Sequence, residues 1–349
     1  MKKTLIALMA LSGTAMAAWN PGGTGKELYE VTENVDTVTT MGEDQNITGD
    51  YQLKAKNLGT TPANQNFEAT IGEYILRGGK KVVIMDRWQN DSTNLHVTIN
   101  KLTVQSIDVT TGEGESATTT TYNKGKVGVN AGQKLTLGSV AGIIENLELA
   151  AGSTFCYTGS ADANIQKITT SGSGNTTINF GTSYVLKSET GTNETLTFSM
   201  GSGSGITLDV NLSDSELATL DNRGDVSRTL ITSDRMKGLT TAALSNQFSL
   251  TLNGAELDYV GVVYRVTKQG VVTYHNISDV TINDDYGAVS ADTAIDLAYG
   301  SSYIVVDAQD YSGASIKGIS FMATAIPEPA TATLSLLALA GLAARRRRH

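Results

Sequence analysis

Residues 133–157, QKLTLGSVAGIIENLELAAGSTFCY, hold three apolar pairs, Leu135/Leu137, Leu147/Leu149 and Phe155/Tyr157, each separated by a single residue. A period of two puts both members of a pair on one face of a β-strand, and the glycine, serine and asparagine between the pairs are turn formers. Further along, Ile178/Phe180 and Leu196/Phe198 continue the pattern, so that successive runs start 20, 23 and 18 residues apart, and Leu147/Leu149 with Ile165/Ile168 forms a second series between them. A coil of about 20 residues cannot bury its own apolar face, so it stacks on the next, which is the logic of a β-solenoid. An antiparallel sandwich also spaces its strands at about 8 to 12 residues. The coil-length recurrence favours the solenoid for residues 129–204.

The same alternation extends outward in both directions. In residues 18–128, strands are expected around 74–76, 81–85, 95–99 and 102–109, and a low-complexity loop at 110–121. The clearest strand is Leu95-His96-Val97-Thr98-Ile99-Asn100, with Leu95, Val97 and Ile99 inward and His96, Thr98 and Asn100 outward. Beyond residue 204 the texture changes. Ser213 followed three residues later by Glu216 is the capping-box spacing for a short helix through Leu220, and 240–244 suggests another. Residues 248–252 run into Asn253-Gly254, a strong hairpin signal, while 262–267 and 271–275 flank Lys268-Gln269-Gly270 as a second hairpin. With 303–306 and 316–321 these make residues 205–325 an expected antiparallel β domain.

The two ends read differently. Lys2 and Lys3 precede an apolar run at 5–11 with no polar face, and Ala15-Met16-Ala17 has the small-x-small pattern accepted by signal peptidase, so 1–17 is expected to be a signal helix removed at Ala17. Near the other end, Pro327-Glu328-Pro329 precedes an apolar stretch at 330–344, which closes on Arg345, Arg346, Arg347, Arg348 and His349. As a helix that stretch would be about 22 Å long, short of a hydrocarbon core of about 30 Å. It spans only if the arginines snorkel to the headgroups. The positive-inside rule would then keep the arginines in the cytoplasm.

That tripeptide, short apolar helix and arginine run resemble the PEP-CTERM sorting domain of Gram-negative bacteria, over residues 326–349 only. The resemblance implies recognition of Pro327, Glu328 and Pro329 by exosortase, a membrane protease-transpeptidase, with Arg345 to Arg348 as the membrane-retention signal. It also implies transient residence in the inner membrane, then delivery to the cell surface or medium, often alongside extracellular polysaccharide. Residues 129–204 resemble, in texture alone, the passenger regions of bacterial autotransporters.

Composition narrows the partners. Glycine numbers 36, aromatics make up 6% and charged residues 17%, which suits a turn-rich extracellular β protein. The net charge is −9; without Lys2, Lys3 and the four terminal arginines, 20 basic face 35 acidic groups, close to −15. So acidic a chain is a poor partner for nucleic acid. Cys156 is the single cysteine, so no intrachain disulfide can form; between Phe155 and Tyr157 it reads as a small buried hydrophobe.

Residues that carry chemistry are thinly spread. The carboxylate pairs Asp284/Asp285, Asp221/Asp225 and Glu113/Glu115 lie in Gly- or Asn-rich stretches, where turn formation explains them. His96 and His275 have no companion at metal-ligand spacing, and the regular calcium loop is absent. Gly201-Ser202-Gly203-Ser204-Gly205 has glycine where a nucleophile elbow needs serine, and reads as a flexible linker. Residues 22–26 fail as a phosphate loop, and Arg223-Gly224-Asp225 reads as a tight turn. Trp88 beside Arg87 is a candidate sugar platform. The expected protein is therefore an all-β, non-enzymatic envelope protein without metal or cofactor, its role structural, adhesive or matrix-associated. A secreted polysaccharide lyase or glycosidase on a β-helix is the alternative.

Overall fold

The computed structural model describes residues 18–22, 26–31, 35–39, 51–55, 67–85, 95–188, 195–282, 293–308 and 316–325 of the 349. Two long sheets dominate. Sheet I runs in the order Ala18–Gly22, Lys26–Val31, Tyr51–Ala55, Lys81–Ile84, Lys124–Val129, Ile143–Ala150, Lys167–Ser171, Thr195–Met200 and Arg235–Lys237. Sheet II runs Val35–Thr39, Phe67–Arg77, Leu95–Gln105, Lys134–Leu137, Thr154–Tyr157, Gly174–Asn179, Ser204–Asn211 and Phe248–Asn253, with Val140–Ala141 pairing beside the third of these. Apart from the antiparallel pair at Ala18–Gly22, the pairings within both sheets are parallel. The chain alternates between the sheets, one strand in each per coil, and every coil stacks on the last.

Register shows how the apolar pairs do this. On sheet II, Val97, Leu135, Phe155, Ile178, Leu208 and Leu250 form one inward row. On sheet I, Val82, Val127, Leu147, Ile168 and Phe198 form its counterpart. All of these are buried in one continuous core, where each leucine or phenylalanine contributes roughly 2 kcal/mol by leaving water. Phe198 and Phe248 meet across the core edge to face, their centroids 6.0 Å apart.

The stacking runs well beyond residues 129–204 on both sides, from Lys26–Val31 to Phe248–Asn253. The expected row of four pairs also needs correction. Leu135, Phe155 and Ile178 are true successive coils, but Leu196/Phe198 belongs to sheet I beneath Ile168, and the coil after Ile178 reaches Leu208. The spacing of 18 arose because that coil is lengthened by the strand Leu186–Ser188, which leaves the stack for another sheet.

Other expectations change for local reasons. Residues 110–121 are no loop: Ile107–Thr111 and Thr118–Tyr122 pair as an antiparallel hairpin. Its threonines are β-branched strand formers even when exposed on both faces, and Thr110 and Thr119 hydrogen-bond across it at 2.8 Å. Phe248–Asn253 makes no hairpin either. It pairs in parallel with Ser204–Asn211, and Asn253 Nδ2 donates to Asp209 Oδ1 at 2.7 Å and Asn211 Oδ1 at 2.9 Å. The second expected hairpin does form, Lys268 opposite Val271, with Gln269 (φ 52°) and Gly270 (φ 80°) giving the type I′ turn that matches strand twist. Residues 201–205 are a corner turn rather than a linker, since Ser204 N–H donates to Gly201 carbonyl at 3.1 Å before entering its strand.

The remaining strands form a six-stranded sheet in the order Leu186–Ser188, Val226–Ser233, Ile316–Ala323, Ser301–Ala308, Asp258–Lys268 and Val271–Asn276. It is mixed, not purely antiparallel: Leu186–Ser188 with Val226–Ser233, and Asp258–Lys268 with Ser301–Ala308, are parallel pairs. One face packs against the last coil and shares its core, which covers the open end of the stack. Two short helices sit at this junction. α1 (Asp214–Asp221) has the full capping box of Ser213 and Glu216, and α2 (Thr241–Gln247) starts at Thr240, whose hydroxyl accepts from Ala243 N–H. Arg228 ties the junction together. Its Nε lies 3.1 Å from Glu216 of α1, its Nη2 donates to Asn211 carbonyl at 2.9 Å, and its guanidinium lies 5.4 Å from the centre of the Phe321 ring. No described helix is long and apolar enough to cross a membrane. The expected signal and tail helices lie outside the described residues.

Candidate functional site

The outward face of the C-terminal sheet carries a cleft and a groove among the described residues. Residues 293–299 fold back over one half of it: Ile295 N–H donates to Tyr274 carbonyl at 2.8 Å, and Ala298 N–H to the Tyr303 hydroxyl at 2.9 Å. Ile295 and Leu297 pack on a small second core of Val263, Tyr303, Val305 and Met322. His275 is buried beneath this strap, its Nδ1 donating to Thr293 carbonyl at 2.9 Å and its Nε2 3.1 Å from Thr273 Oγ1. These two contacts make it a brace between the strap and its strand.

Between strap and sheet opens a cleft of about 530 Å³ lined by Asp225, Tyr274, Asp296, Tyr299, Met322 and Thr324, among others. Tyr299 is 76% exposed and Val272, at the rim, 48%. Past Val272 a smaller groove of about 310 Å³ continues over Arg265, Asp307, Lys317 and three threonines. Here Arg265 Nε donates to Asp307 Oδ1, and Ser320 Oγ donates to Asp307 Oδ2 at 2.8 Å. Burial alone would lower the Arg265 guanidinium; the hydrogen bond and charge of Asp307 outweigh it and raise it, so it stays charged. One open tyrosine ring, that of Tyr299, with carboxylates and hydroxyls around it is equipment for holding a sugar, with ring C–H groups on the aromatic face and hydroxyls on the polar groups.

The residues singled out from sequence are scattered. Asp225 reaches the cleft, but its Oδ1 accepts from Ala325 N–H at 2.8 Å. Asp221, its expected partner, stands exposed at the end of α1, and Glu113 and Glu115 lie at the exposed tip of the threonine hairpin. Arg223-Gly224-Asp225 is the turn that ends α1: Arg223 takes φ 64°, its N–H donates to Leu220 carbonyl at 3.0 Å, and Gly224 N–H donates to Thr219 carbonyl at 2.8 Å. Among the described residues, no three His, Cys, Asp or Glu side chains gather as metal ligands. Ala15, Ala17, Arg87, Trp88, Asp284, Asp285, Pro327, Glu328, Pro329 and Arg345 to Arg348 lie outside the described residues. Tyr274, Tyr299, Asp296, Arg265 and Asp307 had no sequence signal, because they come from separate strands and a strap that only the fold brings together.

No family model matches this chain, and searches of curated proteins and of solved structures found no match either.

Proposed function

We propose that this chain is an exported envelope or surface protein, sorted by exosortase at Pro327-Glu328-Pro329, whose body works by binding and support rather than turnover. The observation that supports it is the way the chain leaves the body. Ala325 is tied on both sides, its N–H to Asp225 Oδ1 at 2.8 Å and its carbonyl to Gly300 N–H at 2.9 Å. Ala325 is thus pinned beside the cleft two positions before Pro327, and a fixed point so near the tripeptide suits its use as a sorting handle. A body of stacked coils gives such a protein long polar faces and a compact core without disulfides.

Deleting residues 327–349 is expected to send the protein to the medium or periplasm, and changing the Pro-Glu-Pro alone to leave the unprocessed form in the inner membrane. Wild-type processing of both variants, followed by fractionation and immunoblot, would rule the sorting reading out.

The alternative of a carbohydrate-active enzyme gains one observation, the presence of both Asp225 and Asp296 along the cleft. Incubation of the purified protein with a polysaccharide panel, with and without calcium, separates the two. Turnover lost in Asp225→Asn or Asp296→Asn would establish the enzyme, and binding without turnover the surface protein.

A further inference from the structure

The outer face of sheet I is rich in lysine on an acidic chain. Its strands present Lys81, Lys124, Lys126, Lys167, Arg235 and Lys237 outward, alternating with buried neighbours such as Val82, Val127, Ile168 and Met236. Across the six adjacent strands from Lys81–Ile84 to Arg235–Lys237, these six cations stand with two carboxylates, Glu145 and Glu148, both on Ile143–Ala150. Glu145 is the extra residue of the bulge at Gly125/Lys126 and lies 3.5 Å from Lys126, while Glu148 pairs with Lys81. Basic residues thus outnumber acidic ones on these six strands, on a protein of net charge −9.

The cations are ordered as well as concentrated. Register aligns Lys81 with Lys126 and Asn146, and Lys167 with Thr197 and Lys237. Ile144 bridges Ile165, and Leu147 pairs with Ile168, which sets Asn146 beside Lys167 and joins the two halves into one row. Six strands at about 4.8 Å each make a line roughly 24 Å long, with lysine at its first, second, fourth and sixth positions and amide or hydroxyl side chains between. From this row we infer that sheet I is a docking face for a linear acidic polysaccharide, one with a carboxylate or sulfate on its sugars, lying across the strands.

The chemistry selects that class of ligand. A sugar ring is about as long as the strand spacing, so an extended chain offers an anion to successive lysines, and its hydroxyls meet Asn146, Thr169 and Thr197. Duplex nucleic acid carries a charge about every 1.7 Å and needs a broad basic surface; here the row is a single residue wide. Ammonium groups on flexible stems suit a ligand that binds by charge and slides in register.

The inference rests on the surface-protein reading and is tested separately from it. The purified full chain is titrated calorimetrically with polygalacturonate at low and high salt, with neutral dextran and duplex DNA as competitors for the assignment. Polygalacturonate is expected to bind and to weaken as salt rises. The variant K167Q/K237Q, which leaves the Lys81–Glu148 and Lys126–Glu145 pairs in place, is expected to bind about tenfold more weakly, and K167R/K237R to bind like the parent. Dextran binding as well as polygalacturonate, DNA binding more tightly, or undiminished affinity in K167Q/K237Q would each overturn it. Should K167Q/K237Q lose the native circular dichroism spectrum, K167Q alone takes its place, with a severalfold loss expected and an unchanged affinity counting against the row. Fractionation of K167Q/K237Q is expected to match wild type, so a sorting failure and a binding failure are told apart.

Discussion

His96 and Cys156 show what one position can disclose. His96 points outward from sheet II, as its alternating neighbours predict, but it is half-buried, with Nε2 3.0 Å from Thr136 Oγ1 and Nδ1 3.7 Å from Glu68. Burial, helped by Lys134, holds its imidazole below the usual value despite Glu68. The folded state therefore binds this proton less readily than the unfolded chain. The stability it contributes is complete above the unfolded pKa of about 6.5 and is lost as pH falls below that toward the folded value. The melting temperature is expected to drop between pH 7.5 and 5.5, and His96→Gln to flatten that drop; parallel curves for the two proteins would refute it. Cys156 is buried as expected, and burial pushes its thiol up. Yet it stands between Thr136 and Asn179 on the outward row, donating to Asn179 Oδ1 at 3.7 Å, and not in the apolar core.

At the scale of elements, the corners matter as much as the strands. Three coils turn from sheet I to sheet II through the same device: Gln133, Ser153 and Ser204 donate N–H to the carbonyls of Asn130, Ala150 and Gly201, with a positive-φ glycine third in each turn. That is a type II turn, and the corners stack, Gly132 N–H on Gly152 carbonyl at 3.1 Å. Gly152 has φ 79° and room beside it, since an added Cβ would meet nothing nearer than 3.7 Å. Gly152→Ala is accordingly expected to cost about 1–2 kcal/mol from backbone strain alone. Gly238 also has positive φ, but there a Cβ would come within 1.9 Å of Phe198 carbonyl oxygen. Gly238→Ala should therefore be the more damaging, and equal denaturation midpoints for the two would show that the close approach is not real. The glycines were visible in the sequence as punctuation. Their service as stacked corners was not, because coil lengths vary and the eye sees only the regular ones.

For the whole molecule, Arg228 is the test of whether stack and C-terminal sheet fold as one. Its Glu216 pair is largely withdrawn from water, and burial lowers its guanidinium while Glu216 opposes that shift. Removing the cation in Arg228→Met leaves Glu216 without its charge partner and takes the Nη2 donor from the Asn211 carbonyl, a loss of about 2–4 kcal/mol. Both halves should then unfold at lower denaturant. Loss confined to the C-terminal sheet, read by hydrogen exchange, would mean that the stack stands alone.

By itself the sequence determined that this is a β protein and where most of its strands lie, because alternation is local and needs no partner. It also placed both short helices, since a cap is written within four residues. Only the tertiary structure decided which strand joins which sheet. Leu196/Phe198 and Asn253-Gly254 were misread for that one reason: pairing is settled by whichever earlier coil offers a matching edge, across 30 or more residues. The cleft and the lysine row are products of that pairing. Neither is contiguous in the chain, so no local pattern could have announced them.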